Sequence, residues 1–223
     1  MKYSGIDLHS TNSVVLVSDE ADHMVCRRRV PNDLQLILTI LAPYREELVG
    51  VVVESTYNWY WLVDGLQAAG YRVHLANTAA MKRYEGLKYS DDDSDAAYLA
   101  HLLRLGILPT GYICPVKERA LRDLARKRLQ LTRSRTLHIL SVEGNLARQK
   151  GSRISSRAVK QLTEETLNTL ELSENVTAAM AANVAVIQTL NVQIDKLEAR
   201  LRSQLRPQAD FALLTTTPGI GEI

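Results

Sequence analysis

Four carboxylates stand where the chain can turn them into one reactive centre: Asp7, Glu54, Asp92 and Asp95. Asp7 lies at the end of the first apolar run, and Glu54 follows directly on Val51-Val52-Val53. A charged group closing a buried apolar strand needs a partner or a metal. Asp92 and Asp95 are three apart where a helix begins, which puts both on one helical face. Oxygen donors of this type suit hard cations, Mg²⁺ or Mn²⁺. Two such ions about 4 Å apart can activate the attacking oxygen of a phosphodiester displacement and stabilise the leaving one. Each residue also has a plainer use. Asp7 can start a turn, Glu54 can reach solvent, and Asp91-Asp92-Asp93-Ser94-Asp95 can cap a helix and complement its dipole. Yet four acids in five residues repel one another, which a cap does not require and a cation relieves. His9 can assist proton transfer at Asp7 or serve as a solvated turn residue. Tyr57, Trp59, Tyr60 and Trp61 crowd after Glu54 and suit base stacking or helix-to-sheet packing; neither role is assigned.

The elements that must position these acids are readable from the pattern. Residues 2–8 and 13–18 are strand-like runs separated by the polar turn His9-Ser10-Thr11-Asn12, and a third run, 24–30, follows Asp19-Glu20-Ala21-Asp22. Pro31 marks a helix start, and Leu34, Ile37, Leu38 and Leu41 recur at helical spacing. Residues 48–53 read as a strand buried on both faces. A helix over 58–69 ends at Gly70, 71–75 is a fifth strand, and helices over 78–84 and 92–106 follow, the second closing at Gly106 and Pro109. The order β-β-β-α-β-α-β-α-α matches an α/β domain of RNase H-like type. A Rossmann sheet would begin β-α-β with a glycine-rich first turn.

The chain has 223 residues, 46% of them hydrophobic, enough for a sizeable core. No run of about 18 apolar residues predicts a membrane span, and the N-terminus lacks the apolar region of a signal peptide. Two cysteines, Cys26 and Cys114, have no His or Cys neighbours at metal spacing and fit a reduced compartment, so a cytoplasmic protein is expected. A net charge of +2 conceals a division: residues 1–116 carry 10 Lys/Arg against 14 Asp/Glu, 117–160 carry 13 against 3, and 161–223 carry 4 against 8. The basic block reads as an all-α region opening with a long helix over 117–149. Arg119, Arg122, Arg126, Lys127, Arg128, Arg133 and Arg135 make it a candidate nucleic-acid-binding element for DNA or RNA. Arg148, Lys150, Arg153 and Arg157 continue that surface.

Gly151-Ser152 breaks the basic helix, and a shorter one is predicted over 157–170. Val176, Met180, Asn183, Ile187, Leu190, Ile194, Leu197 and Leu201 then alternate spacings of four and three, a coiled-coil seam with one polar position. Such helices can form an intramolecular hairpin, a dimer, or both. The Pro218-Gly219-Ile220-Gly221 end reads as the opened hairpin of a helix-hairpin-helix motif, so an N-terminal fragment is expected. Three regions follow: 1–112 catalytic, 113–207 basic helix and coiled coil, and 208–223 the start of a further domain.

Gly5-Ile6-Asp7-Leu8-His9, Val53-Glu54-Ser55-Thr56, Asn77, Asp92-Asp93-Ser94-Asp95-Ala96 and the run Leu121–Arg128 occur in an order that resembles the DEDD-type transposases of insertion sequence 110 and their Piv-type invertase relatives. Thr217-Pro218-Gly219-Ile220-Gly221 looks like the entrance to that family's C-terminal domain. The resemblance implies a RuvC-like domain, a coiled-coil region, and a C-terminal domain bearing a nucleophilic serine. It also implies recombination guided by a structured bridge RNA that pairs with donor and target DNA. The four acids would act with Mg²⁺ beside that serine, and dimers would pair into a synaptic complex. One departure is the residue pair before the third acid, Ser90-Asp91, where the family commonly has a basic residue and Thr; Asp91 thereby competes with Asp92 as a ligand. The expected function is an RNA-guided DNA transposase or recombinase. The alternatives are a RuvC-like structure-selective nuclease acting on Holliday junctions and a non-catalytic coiled-coil scaffold for nucleic acid.

Overall fold

The computed structural model describes residues 1–81 and 92–222, of which 92–94 by their backbone. The chain divides into two compact units, 1–113 and 114–223.

In the first unit, β1 (Lys2–Leu8), β2 (Asn12–Asp19) and β3 (Met24–Pro31) form the antiparallel meander, and β4 (Leu48–Glu54) and β5 (Val73–Ala76) add to it in parallel. The sheet order is β3-β2-β1-β4-β5. Strand alternation sorts its side chains into two cores. Ile6, Leu8, Val15, Val17, Val51 and Val53 pack with Ile37 and Leu41 of α1 (Leu34–Leu41) and with Leu62, Val63 and Leu66 of α2 (Tyr60–Ala68). On the other face, Tyr3, Val14, Leu16 and Val52 meet Ala96, Leu99 and Ala100 of α3 (Asp92–Arg104). The central strands are buried on both faces because helices cover both.

Two local expectations change. Pro31 ends β3 instead of starting α1: it pairs with Asn12 on an edge strand, where a missing N–H is tolerated. The cap is Asp33, whose carboxylate accepts the Gln35 and Leu36 amides. Of the helix predicted over 78–84, residues 78–80 form a turn and 82–84 lie outside the described residues.

The second unit is all-helical. α4 (Val116–Lys150) ends at Gly151, whose φ of 66° suits glycine. The helix predicted over 157–170 is two short ones, α5 (Ser156–Val159) and α6 (Glu164–Asn168). Thr163 separates them by starting a capping box with Thr166. α7 (Glu174–Leu205) buries Met180, Val184, Ile187, Ile194 and Leu201. Arg128 meets Glu198, Arg135 meets Asn191 and His138 meets Asn183, so α7 runs antiparallel to α4 within one chain. α8 (Ala209–Thr215) follows, and Glu222 beyond it pairs with Arg202 and Arg206. No helix among the described residues is long and apolar enough to cross a membrane.

Candidate functional site

The hydrogen-bonded rungs between β1 and β4 run to Ile6 and Val53. Asp7 and Glu54 come one residue later on neighbouring strands, whose backbones lie about 5 Å apart. Asp7 is opposite Val14, a residue of the core under α3, so alternation turns both acids towards the α3 face. Asp7 is only 3% exposed, and Glu54 is half-buried.

Gly5 lies on that same face, two residues before Asp7. A Cβ built on Gly5 would collide with the Ala96 carbonyl oxygen. The missing side chain therefore lets α3 sit directly on β1, and it brings Asp95, the neighbour of Ala96, over the carboxylate end of the sheet. Asp95 is half-buried there. α3 begins at Asp92, but the Asp92 side chain and all of Asp91 lie outside the described residues. Among the described residues, no three of His, Cys, Asp or Glu are grouped closely enough to hold one metal ion. The structure thus gathers Asp7, Glu54 and Asp95 onto one face without closing them into a ligand set.

His9 is part of this end of the sheet. Its Nε2 lies 3.1 Å from Asp7 Oδ2. Its carbonyl accepts hydrogen bonds from two side-chain amides, Asn32 Nδ2 and Asn58 Nδ2, each at 3.0 Å. Ser13 Oγ donates to Asn32 Oδ1 at 2.7 Å, and Thr56 Oγ1 donates to Asn58 Oδ1 at 2.9 Å. Segments following β1, β3 and β4 are therefore tied together around the Asp7 turn. Sequence reasoning missed Asn32 and Asn58; the available signal was only that both follow strands that end at the same edge. The aromatics after Glu54 separate: Trp59 is buried and stacks edge-on with Tyr60, while Tyr57 is 83% exposed.

The far end of α3 is anchored too. Arg104 donates Nε to Asp22 Oδ1 at 2.6 Å and Nη2 to Asp22 Oδ2 at 2.5 Å, with His101 Nδ1 2.9 Å from Oδ2. Arg104's hydrogen bonds hold the Asp22 carboxyl below its ordinary value, and His101 adds to the effect.

On α4, the seven basic candidates divide by role. Arg126, Lys127 and Arg133 are exposed, and Arg122 is half-buried. Arg119 is 6% exposed and donates Nε to the Cys114 carbonyl at 2.7 Å. Arg128 donates Nε and Nη2 to Glu198 Oε1 at 2.9 and 2.6 Å, and Arg135 donates Nη1 to Asn191 Oδ1 at 2.8 Å. Burial would raise the Glu198 carboxyl, but Arg128 and then Arg202 outweigh it and hold it below the ordinary value.

Acids at adjacent strand ends, a third on the helix laid across them, and a basic helical unit are the parts of a protein acting on nucleic-acid phosphodiesters. The chain belongs to the DEDD-type transposases of insertion sequence 110: the family's model, described as a transposase, matches residues 4–149. The match runs from β1 nearly to the end of α4 and includes all four acids and all seven basic candidates. Membership makes it a DNA-cleaving and DNA-recombining type of enzyme, with DNA as its partner. A comparison with curated proteins gives no match.

Proposed function

We propose that this chain supplies the metal-dependent half of a DNA transposase, with Asp7, Glu54, Asp92 and Asp95 as the ligands of Mg²⁺ or Mn²⁺ in an RNase H-like (RuvC-like) catalytic domain, residues 1–112. The observation that carries this reading is the Gly5 seat, which lays the start of α3 over the neighbouring strand ends bearing Asp7 and Glu54. The donor set fits a hard divalent cation: all four groups are carboxylates, and a buried anion such as Asp7 gains from a nearby positive charge. The chemistry such an ion supplies when bound is activation of the attacking oxygen and neutralisation of charge on the phosphodiester.

The protein's own part is positional. β1 and β4 fix Asp7 and Glu54, α3 lays Asp95 over that end of the sheet, and the amides of Asn32 and Asn58 hold the His9 turn that flanks Asp7. The helical region, 113–207, binds nucleic acid through the exposed Arg126, Lys127 and Arg133 of α4. Arg122 lies beside them, while Arg119, Arg128 and Arg135 brace the helices that present the surface. A structured bridge RNA guides the reaction, and the helical region brings two copies together. The enzyme works in the cytoplasm at the nucleoid.

Isothermal titration of Mn²⁺ into the 223-residue chain tests the centre. Wild type is expected to bind, and Asp7→Asn and Glu54→Gln, each of which removes a charged oxygen ligand, to lose most of that affinity. Comparison of Asp91→Asn with Asp92→Asn decides which of the two is the ligand. Binding unchanged by Asp7→Asn would overturn the metal centre.

A further inference from the structure

Three consecutive arginines, Arg27-Arg28-Arg29, stand on β3 in a segment whose acids outnumber its bases. All three are exposed, and β3 is the outer strand of the sheet. Alternation sends them to opposite faces. Arg27 is opposite Leu16 and Arg29 opposite Val14, both of which pack under α3. Arg28 is opposite Val15, which packs towards α1 and α2. Tyr44 shares that second face: burial raises its hydroxyl, and the charges of Lys2 and Arg28 work against the rise.

Arg29 therefore occupies one cross-sheet row with Val14 and Asp7, two strands from the carboxylate and so about 10 Å away along the sheet. Arg27 stands one step back on the same face, in the row of Leu16 and Gly5. Arg29 also donates Nη1 to Asn12 Oδ1 at 3.5 Å, beside the turn that follows Asp7. Charges on an edge strand discourage sheet-to-sheet pairing whichever face they occupy. That role does not account for two guanidinium groups aligned on the face that carries the acids. A phosphodiester held among carboxylates needs its flanking phosphates balanced by cations outside that cluster, and guanidinium groups match phosphate geometry.

We propose that Arg27 and Arg29 bind the backbone phosphates of the DNA strand engaged at Asp7 and Glu54, with Arg28 taking no part. This rests on the carboxylates being the catalytic centre. Binding of the 223-residue chain to a fluorescent duplex DNA of about 30 base pairs, followed in EDTA between about 50 and 200 mM KCl, tests it. Arg27→Gln/Arg29→Gln is expected to weaken binding about tenfold and to reduce the slope of log affinity against log salt by about 1 to 2. Arg27→Lys/Arg29→Lys should recover most of that slope, since it restores the charge. Arg28→Gln, the same loss of charge one residue away, should stay within about twofold of wild type. The proposal is overturned if the double variant binds like wild type, or if Arg28→Gln alone loses as much. EDTA separates this from the metal centre: an arginine-dependent slope with undiminished Mn²⁺ binding by Asp7→Asn would remove the centre and leave the phosphate-binding face. The converse pair of results would remove the face alone.

Discussion

Gly5 sets how closely α3 approaches the sheet, so Gly5→Ala perturbs fold and centre together. An added methyl would strike the Ala96 carbonyl oxygen and stand 3.0 Å from both the Ala96 carbonyl carbon and the Ala100 nitrogen. All three are helix backbone, which cannot swing aside, so α3 must retreat by about an ångström or β1 must bend. Two effects oppose. Replacing a strand glycine by alanine favours folding by about 0.5–1 kcal/mol through chain entropy. Overpacking costs about 1–3 kcal/mol, and backbone-on-backbone contact belongs at the upper end. Net destabilisation of about 2 kcal/mol is expected. Gly50→Ala is the control, because its methyl would meet the His74 imidazole at 2.9 Å, a ring that can turn, and a backbone atom, the Arg72 carbonyl oxygen, only at 3.3 Å. That variant should lie within about 1 kcal/mol of wild type. Urea midpoints measure both, and hydrogen exchange across residues 95–104 reports whether α3 loosens. Because Asp95 adjoins Ala96, a shift of about 1 Å would move it relative to the strand ends that bear Asp7 and Glu54, and in the proposed centre displacement on that scale can cost about a hundredfold in activity. Mn²⁺ affinity should therefore fall in Gly5→Ala and not in Gly50→Ala. Equal stability of the two variants, with unchanged exchange in α3, would refute this account of how the helix is seated.

Two further outcomes concern the ion pairs that frame the two units. Arg128→Gln should cost about 1–2 kcal/mol, since it leaves the largely buried Glu198 without its main cation. A double-mutant cycle with Glu198→Gln should return a coupling of about 1 kcal/mol. Glu198 is held below the ordinary value of a glutamate, so the pair's contribution is complete above that ordinary value and disappears as the pH falls through the lowered one. A coupling that did not shrink in acid urea titrations would assign it to packing. Asp22→Asn should cost only about 0.5 kcal/mol, because the clamp to Arg104 is substantially exposed. Asp22→Ala should cost more, since φ at this residue is 65° and Asn accepts that conformation better than Ala. The Asn variant's deficit should be complete above the ordinary aspartate value and vanish as the pH falls through the lowered value at which the wild-type carboxylate loses its charge.

The first unit was largely legible because its signals are local. β1 and β4 read as strands from their apolar runs, and the acids at their ends followed without knowledge of the pairing. Pro31 misled because proline suits both a helix start and an edge strand; only the pairing with Asn12 decides between them. Asn32 and Asn58 were invisible for a different reason. Their shared acceptor, the His9 carbonyl, lies 23 and 49 residues away in the chain. Gly5 reads in sequence as part of a motif, whereas its use is to admit a helix backbone that arrives some 90 residues later.

The basic helix shows the limit more sharply. In sequence, Arg119, Arg122, Arg126, Lys127, Arg128, Arg133 and Arg135 differ only in helical phase, and like charges crowded on one helix suggest a polyanion. In the fold, α7 supplies Glu198 and Asn191 against Arg128 and Arg135, while the chain entering α4 offers the Cys114 carbonyl to Arg119. Part of the charge therefore neutralises the helical unit's own polar seam, and the exposed Arg126, Lys127 and Arg133 are the groups able to meet an external phosphate. On β3 the same reasoning runs the other way. Three adjacent arginines look like one cluster in sequence, but the pleat divides them between two faces and leaves two in line with Asp7. Counting basic residues thus overstates the charge that α4 presents to solvent, because charge becomes a contact only where the fold aims it.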